Sequence, residues 1–197
     1  MTQTQVLTPA SLEELVAALA QATPQTRLLA GGTDLVRELR RPVREPDLLV
    51  DLTGLAALSE VRLEEGMLHI GALETFTELQ WHPLVREHAL CLSLAAAQVG
   101  STQIRNAGTI GGNAANASAC ADGVTALTAL GAVVITVDGA GERRTQSLDD
   151  VVLGPGRTSL RYDEAILEFA FPPLDAGHRS AFAKIGSRTA VSVASRP

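Results

Sequence analysis

Leu12, Leu15, Val16 and Leu19 fall at i, i+3, i+4 and i+7, one apolar face of a helix with polar residues between. Ser11-Leu12-Glu13-Glu14 opens that helix as a capping box, with Ser11 as N-cap and Glu14 reaching back. Thr23-Pro24 stops it after Gln21. Short apolar runs at residues 5–8, 27–30 and 47–50 predict strands. The second run enters Gly31-Gly32-Thr33-Asp34, where Thr33 or Asp34 can cap a short helix. Residues 1–55 therefore read as a small β-α-β-loop-β module.

Beyond it the pattern changes. Residues 61–63 and 67–71 predict two strands paired around Glu65-Gly66. Thr75-Phe76-Thr77-Glu78 is a second capping box, and the Leu- and Ala-rich run 84–99 predicts one helix. Residues 101–121, almost wholly Gly, Ala, Ser, Thr and Asn, show no period and read as a long loop of the functional kind. Residues 122–130 predict a helix with Val124, Leu127 and Leu130 inward. Residues 132–137 and 143–146 predict a hairpin over Asp138-Gly139-Ala140-Gly141. A strand is expected at 165–171, closed by Pro172-Pro173, with further strands at 181–185 and 190–194. The class is α+β, with a larger module over 56–175 and the start of a truncated C-terminal domain over 176–197.

Composition narrows the function. Of 197 residues, 46% are apolar and 19% charged, the balance of a folded globular chain. A net charge of −6, with one Trp, one Tyr and four Phe, argues against a nucleic-acid surface or a base-stacking platform. No apolar run reaches the ~20 residues of a membrane span. Residues 1–10 lack the basic and apolar regions of a signal peptide, so the expected location is cytoplasmic. Cys91 and Cys120 belong to no CxxC and no Cys/His cluster, so no zinc or iron–sulfur centre held by this chain alone is expected.

Side-chain catalysis finds little support. His69, His82, His88 and His178 are scattered, and Ser118 near Cys120 has no base beside it. There is no GxxxxGK[ST]. Gly154-Pro155-Gly156-Arg157-Thr158-Ser159 only approaches GxGxxG, because Pro155 lacks an N–H, and it reads as a turn. Two other stretches carry the chemistry: Leu28-Leu29-Ala30-Gly31-Gly32-Thr33-Asp34-Leu35 and Thr109-Ile110-Gly111-Gly112-Asn113-Ala114-Ala115-Asn116. Gly-Gly offers amides without side-chain obstruction, as a pyrophosphate needs. Thr33, Asp34, Thr109, Asn113 and Asn116 add hydroxyl, amide and carboxylate groups suited to a sugar. Asp122, at the predicted helix start, is either a hydroxyl acceptor or a plain N-cap.

LLAGGTDL followed by NAGTIGGNAANASACAD resembles the FAD-binding medium subunit of the molybdenum hydroxylases, the group of xanthine dehydrogenase and aerobic carbon monoxide dehydrogenase. Gly154-Pro155-Gly156-Arg157-Thr158, Asp163-Glu164, Phe171-Pro172 and Phe182-Ala183-Lys184-Ile185-Gly186-Ser187-Arg188 are similar in the same order. The resemblance implies a two-part FAD-binding fold of the vanillyl-alcohol-oxidase type. It implies that Leu29, Ala30, Gly31, Gly32, Thr33, Asp34 and Leu35 hold the FAD pyrophosphate. Thr109, Ile110, Gly111, Gly112, Asn113 and Asn116 would close over its other side and the ribitol, and Asp122 would bind ribityl or ribose hydroxyls. Val99 and Gly100 would touch the cofactor, Ile166 would pack by the flavin ring, and Lys184 would lie near its polar edge. It further implies an electron-transfer role between a [2Fe-2S] small subunit and NAD or another acceptor, beside a molybdopterin-binding large subunit. Relative to that family the chain stops where a further domain begins, and it lacks the cysteine cluster of the benzoyl-CoA-reducing relatives. A stand-alone FAD-linked oxidoreductase and a flavin-free scaffold are the other readings. The first is disfavoured because Thr33 follows Gly31-Gly32 where a flavin-linking His or Cys would stand.

Overall fold

A computed structural model describes residues 4–40 and 45–184 of the chain. The small module is a parallel sheet in the order β1-β3-β2, built from β1 (Gln5–Leu7), β2 (Arg27–Leu29) and β3 (Leu48–Asp51). Helix α1 (Leu12–Leu19) joins β1 to β2, and α2 (Leu35–Leu39) lies between β2 and β3. Leu15 and Leu19 of α1 are fully buried. The Ser11 hydroxyl accepts from Glu14 N at 3.2 Å, while the Glu14 carboxylate returns to Ala10 N at 2.8 Å, one residue before the cap. The helix ends at Leu19, two residues short of the expected stop.

The larger module continues with β4 (Val61–Glu64), β5 (Met67–Gly71), α3 (Phe76–Trp81), α4 (Pro83–His88), α5 (Leu90–Ala97), α6 (Thr102–Ala107), α7 (Ile110–Asn116), α8 (Asp122–Ala129), β6 (Val133–Asp138), β7 (Arg143–Ser147), α9 (Leu148–Val151), β8 (Val152–Gly154), β9 (Arg157–Thr158) and β10 (Glu164–Phe171). Five of these strands form an antiparallel sheet in the order β4-β5-β10-β6-β7. Glu65 (φ 50°) and Gly66 (φ 77°) make the tight turn between β4 and β5, both left-handed as a two-residue hairpin requires. Strand β10 is central and buried on both faces apart from the half-buried Glu168, which explains its nearly continuous apolar sequence.

Each face of the sheet supports one core. Phe169, Phe171, Ile70 and Ile166 pack against the helices of the larger module. A bulge places Leu167 on the opposite side, where Leu167, Ala165 and Val137 join Leu15, Leu19 and Val50 of the small module. The small module therefore completes its core on the back of the sheet, which holds the two modules together.

Three sequence expectations need correction. The run 84–99 is two helices, α4 and α5, broken at Ala89 (φ −149°, ψ 50°). The break frees the His88 carbonyl to accept from Leu174 N at 3.0 Å and Cys91 N to donate to Ser180 Oγ at 3.0 Å, so the segment leaving β10 docks there. The supposed loop 101–121 contains α6 and α7. Ser101 and Thr109 cap them through their hydroxyls. Helix α7 shows no amphipathic period because its small residues are packed between neighbours: a Cβ on Gly111 would lie 2.7 Å from Ala72 Cβ. Finally, 181–184 carries no strand, and the rest of 181–185 together with 190–194 lies outside the described residues.

The segment 72–75 is the joint of this architecture. Ala72 N donates to Leu167 O (2.8 Å) and Leu73 N to Leu58 O (2.9 Å), while Ile110 N and Gly111 N donate to Glu74 O (3.0 Å) and Ala72 O (2.8 Å). The Glu74 side chain within it is 5% exposed, with one oxygen lacking any partner among the described residues. Burial, assisted by Glu78, pushes its carboxyl from 4.5 up to about 7. The folded protein thus holds this proton more tightly than the unfolded chain. The resulting stability is complete below 4.5 and is lost as pH rises through about 7. Glu74→Gln should therefore raise unfolding free energy at pH 8 by up to about 3 kcal/mol and leave it nearly unchanged at pH 4. Denaturant titration at both pH values checks this; an equal effect at both would refute it.

Candidate functional site

A cleft of about 280 Å³ opens between the loop after β2 and the helices α6 and α7. Each wall is built by a different local device. On the small-module side, Gly32 takes φ +67°, and the chain bends from β2 into α2. The backbone N–H groups of Gly31, Gly32, Thr33, Asp34 and Leu35 are half-buried here and have no acceptor among the described residues. Five successive free amides beside a cleft are donors that an anion could use.

The opposite wall works differently. Ile110 N and Gly111 N are engaged by Glu74 O and Ala72 O, Gly112 N by the Thr109 hydroxyl at 3.1 Å, and Asn113 N by Thr109 O at 2.9 Å. That wall offers side chains (Thr109, Asn113, Asn116) rather than amides. Phe76, Val99 and Ile104 supply its apolar part. Arg105 steadies this wall by donating to the carbonyls of Val99 (3.2 Å) and Gly100 (3.3 Å).

The glycines also divide by role. A Cβ on Gly31 would stand 1.7 Å from the Ala107 carbonyl oxygen, and one on Gly111 would collide with Ala72. Both are glycine because protein backbone approaches them. A Cβ on Gly112 would meet only Thr109 Oγ1, at 3.0 Å, and Gly112 lines the cleft.

Ala30, Gly31, Gly32, Thr33, Asp34, Leu35, Val99, Thr109, Gly112, Asn113 and Asn116 come together around the cleft. Leu29 ends β2 just before it, Gly100 (φ +44°) turns over Ile104, and Ile110 and Gly111 lie beneath. Ile166 is 6% exposed in the core of β10 and is not part of the cleft wall. Leu28 and Ala115, within the two Gly-Gly stretches, also line the cleft, and so do Glu38, Phe76, Ile104 and Gly108, which sequence reasoning did not assign to it. Phe76 follows the Thr75–Glu78 capping box and reads as an ordinary helix residue, while Ile104 falls in the stretch read as a loop; nothing local marks either as facing a cleft.

Asp122 and Lys184 form a separate buried pair at 2.6 Å, their side chains 2% and 6% exposed. Asp122 is the first residue of α8 and caps nothing, since Ala121 holds the N-cap position. Burial pushes its carboxyl up and Lys184 pulls it back only in part; Oδ1 lacks a partner among the described residues. Asn113, on the cleft wall, meets the first turn of the same helix: its Oδ1 accepts from Val124 N at 3.3 Å and would lie 2.8 Å from a Cβ on Gly123. Among the described residues no His/Cys/Asp/Glu group could hold a metal ion, and no helix is long and apolar enough to cross a membrane.

The chain is similar to several known proteins. Residues 2–174 match the family described as the FAD binding domain in molybdopterin dehydrogenase. The nicotinate dehydrogenase FAD-subunit of Eubacterium barkeri is 41% identical over 189 residues, 94% of this chain and 64% of that protein. The xanthine dehydrogenase FAD-binding subunit of Escherichia coli O157:H7 is 35% identical over 186 residues, 93% of this chain and 63% of that one. A carbon monoxide dehydrogenase structure from Hydrogenophaga pseudoflava superposes with a TM-score of 0.88 at 30% identity, covering 95% of this chain and 65% of that chain. The chain thus spans a little under two thirds of the length of these relatives.

Proposed function

The chain belongs to the family of FAD-binding domains of molybdopterin dehydrogenases, and we propose that it is the flavin-carrying, electron-transferring part of such an enzyme. The observation that carries this reading is the run of five free amides from Gly31 to Leu35, which fits the pyrophosphate of FAD. When bound, FAD supplies the electron-transfer chemistry, and the chain supplies position and electrostatics. The amides of loop 31–35 bind the diphosphate charge. Thr109 and Asn113 present groups to the adjoining sugar chain. Phe76, Val99 and Ile104 exclude water from that side. Asp122 has a buried carboxylate oxygen free to accept a cofactor hydroxyl, with Lys184 holding it in place. We assign Ile166, at the centre of the sheet, to the support of the flavin-ring end.

In this reading residues 1–55 and 56–175 act as the two modules around the cofactor. Electrons arrive from a [2Fe-2S] small subunit, after substrate oxidation on a molybdopterin-binding large subunit, and leave to NAD or another acceptor. The complex works in the cytoplasm. The homologous FAD-subunits of nicotinate and xanthine dehydrogenases support this assembly.

The test begins with the purified chain, which should bind one FAD noncovalently and release it on denaturation. Gly112→Ala then separates cleft from fold. The added methyl narrows the cleft beside Thr109, while Ala in place of a helical Gly favours α7 by about 0.5–1 kcal/mol. FAD affinity should fall roughly tenfold while apo-protein melting stays level or rises. Unchanged affinity in fluorescence titration would place the cofactor elsewhere.

A further inference from the structure

Asp34 occupies the N-cap position of α2, yet its carboxylate makes no capping bond. An Asp at that position ordinarily accepts from the amides of its own first turn. Here Oδ2 accepts instead from Asn116 Nδ2 at 3.1 Å, 82 residues away in sequence, and Oδ1 accepts from Arg37 at 3.2 Å. Asn116 is the last residue of α7, and the chain turns away after it at Ala117 in a left-handed conformation (φ 45°, ψ 40°). The two side chains therefore meet across the cleft, joining the amide loop to the end of the opposite helix.

Two consequences follow from this geometry. The carboxylate ties the amide loop to the end of α7 and takes up none of the amides of Gly31 to Leu35. It also spends its charge on the Asn116 amide and Arg37 rather than presenting it to an anion in the cleft. We propose that the Asp34 carboxylate is a positioning group and not itself a cofactor ligand: the Asp34–Asn116 hydrogen bond is a latch that sets the cleft width and holds the amide loop open for a diphosphate. This rests on the reading of the cleft as the FAD site.

The experiment exchanges donor and acceptor. FAD binding to the apo chain is followed by fluorescence titration and by the visible circular dichroism of the bound flavin. Asn116→Asp sets two carboxylates against each other and should weaken binding about tenfold, the lower end for a hydrogen bond to a charged group because Asp34 is partly exposed. Asp34→Asn combined with Asn116→Asp restores a donor facing an acceptor. It should bring affinity to within about threefold of the starting protein and recover the dichroism. An Asp34→Ala and Asn116→Ala cycle asks the same question without like charges, and the two losses should be less than additive. If the exchange binds no better than Asn116→Asp alone, or the alanine losses simply add, the latch is wrong and the FAD reading stands. Failure of the unaltered chain to bind FAD would overturn both.

Discussion

Gly31→Ala should remove FAD binding and much of the protein's stability together. The new Cβ would lie 1.7 Å from the carbonyl oxygen of Ala107 and 2.6 Å from its carbon. Neither atom can swing aside as a side-chain tip can, because Ala107 is the last residue of α6 and is followed by Gly108, whose N–H is bonded to Ile104 O. The loop and the helix end must part, which opens the joint between the small module and the cleft's far wall. We expect a loss above about 4 kcal/mol, in the range reserved for a distinct structural failure. Gly66→Ala is the control: its φ of +77° is left-handed and so strained for a side chain, which Gly31 is not, but nothing lies within 4 Å. It should cost only about 1 kcal/mol and leave FAD affinity intact. Denaturant unfolding with flavin titration checks both. A Gly31→Ala protein as stable as Gly66→Ala would show that the close approach does not exist.

The second large effect belongs to the buried pair. Lys184→Met leaves Asp122 with neither oxygen paired at 2% exposure, and should destabilise by about 3–5 kcal/mol near neutral pH. The direction with pH is fixed by burial. With Lys184 gone, nothing offsets the upward push on the Asp122 carboxyl. A raised folded-state value means stability is retained at acid pH and lost as pH rises, so the variant should recover on acidification. Adding Asp122→Asn removes the stranded charge and should restore most of the loss at neutral pH. Unfolding curves of the single and double variants decide the matter: equal stability of the two would mean the pair contributes no buried charge. FAD affinity of the double variant also measures how far that carboxylate serves the cofactor.

Some of this was written locally. Leu12, Leu15, Val16 and Leu19 with Ser11 and Glu14 defined α1, and Thr75 with Glu78 defined the start of α3, where both reciprocal capping bonds are present. Glu65-Gly66 and the turn 138–141 defined their hairpins through residues suited to left-handed or tight backbone. The two Gly-Gly stretches marked the cleft, and their likeness to a known family supplied the cofactor. Each signal spans only a few residues, so propensity, period and capping suffice to read it.

The rest depends on segments far apart in the chain. Helix α7 has no amphipathic stripe because its small residues are packed among neighbours, and small residues without period resemble a loop; the six-residue α6 buries no residue and so has no apolar face to read. The run 84–99 breaks at Ala89 because Leu174 and Ser180 come to bond there. Gly31 is required by Ala107, and Gly111 by Ala72. Glu74 is buried at the joint of both cores, which nothing in its local sequence marks. The sequence by itself determined the elements with strong caps or periods, the α+β class and the glycine-rich loop at the cleft, because these are local properties of the backbone. Only the tertiary structure decided which amides remain free, which glycines face protein rather than ligand, and that Asp34 answers to Asn116, because those are properties of contacts between distant segments.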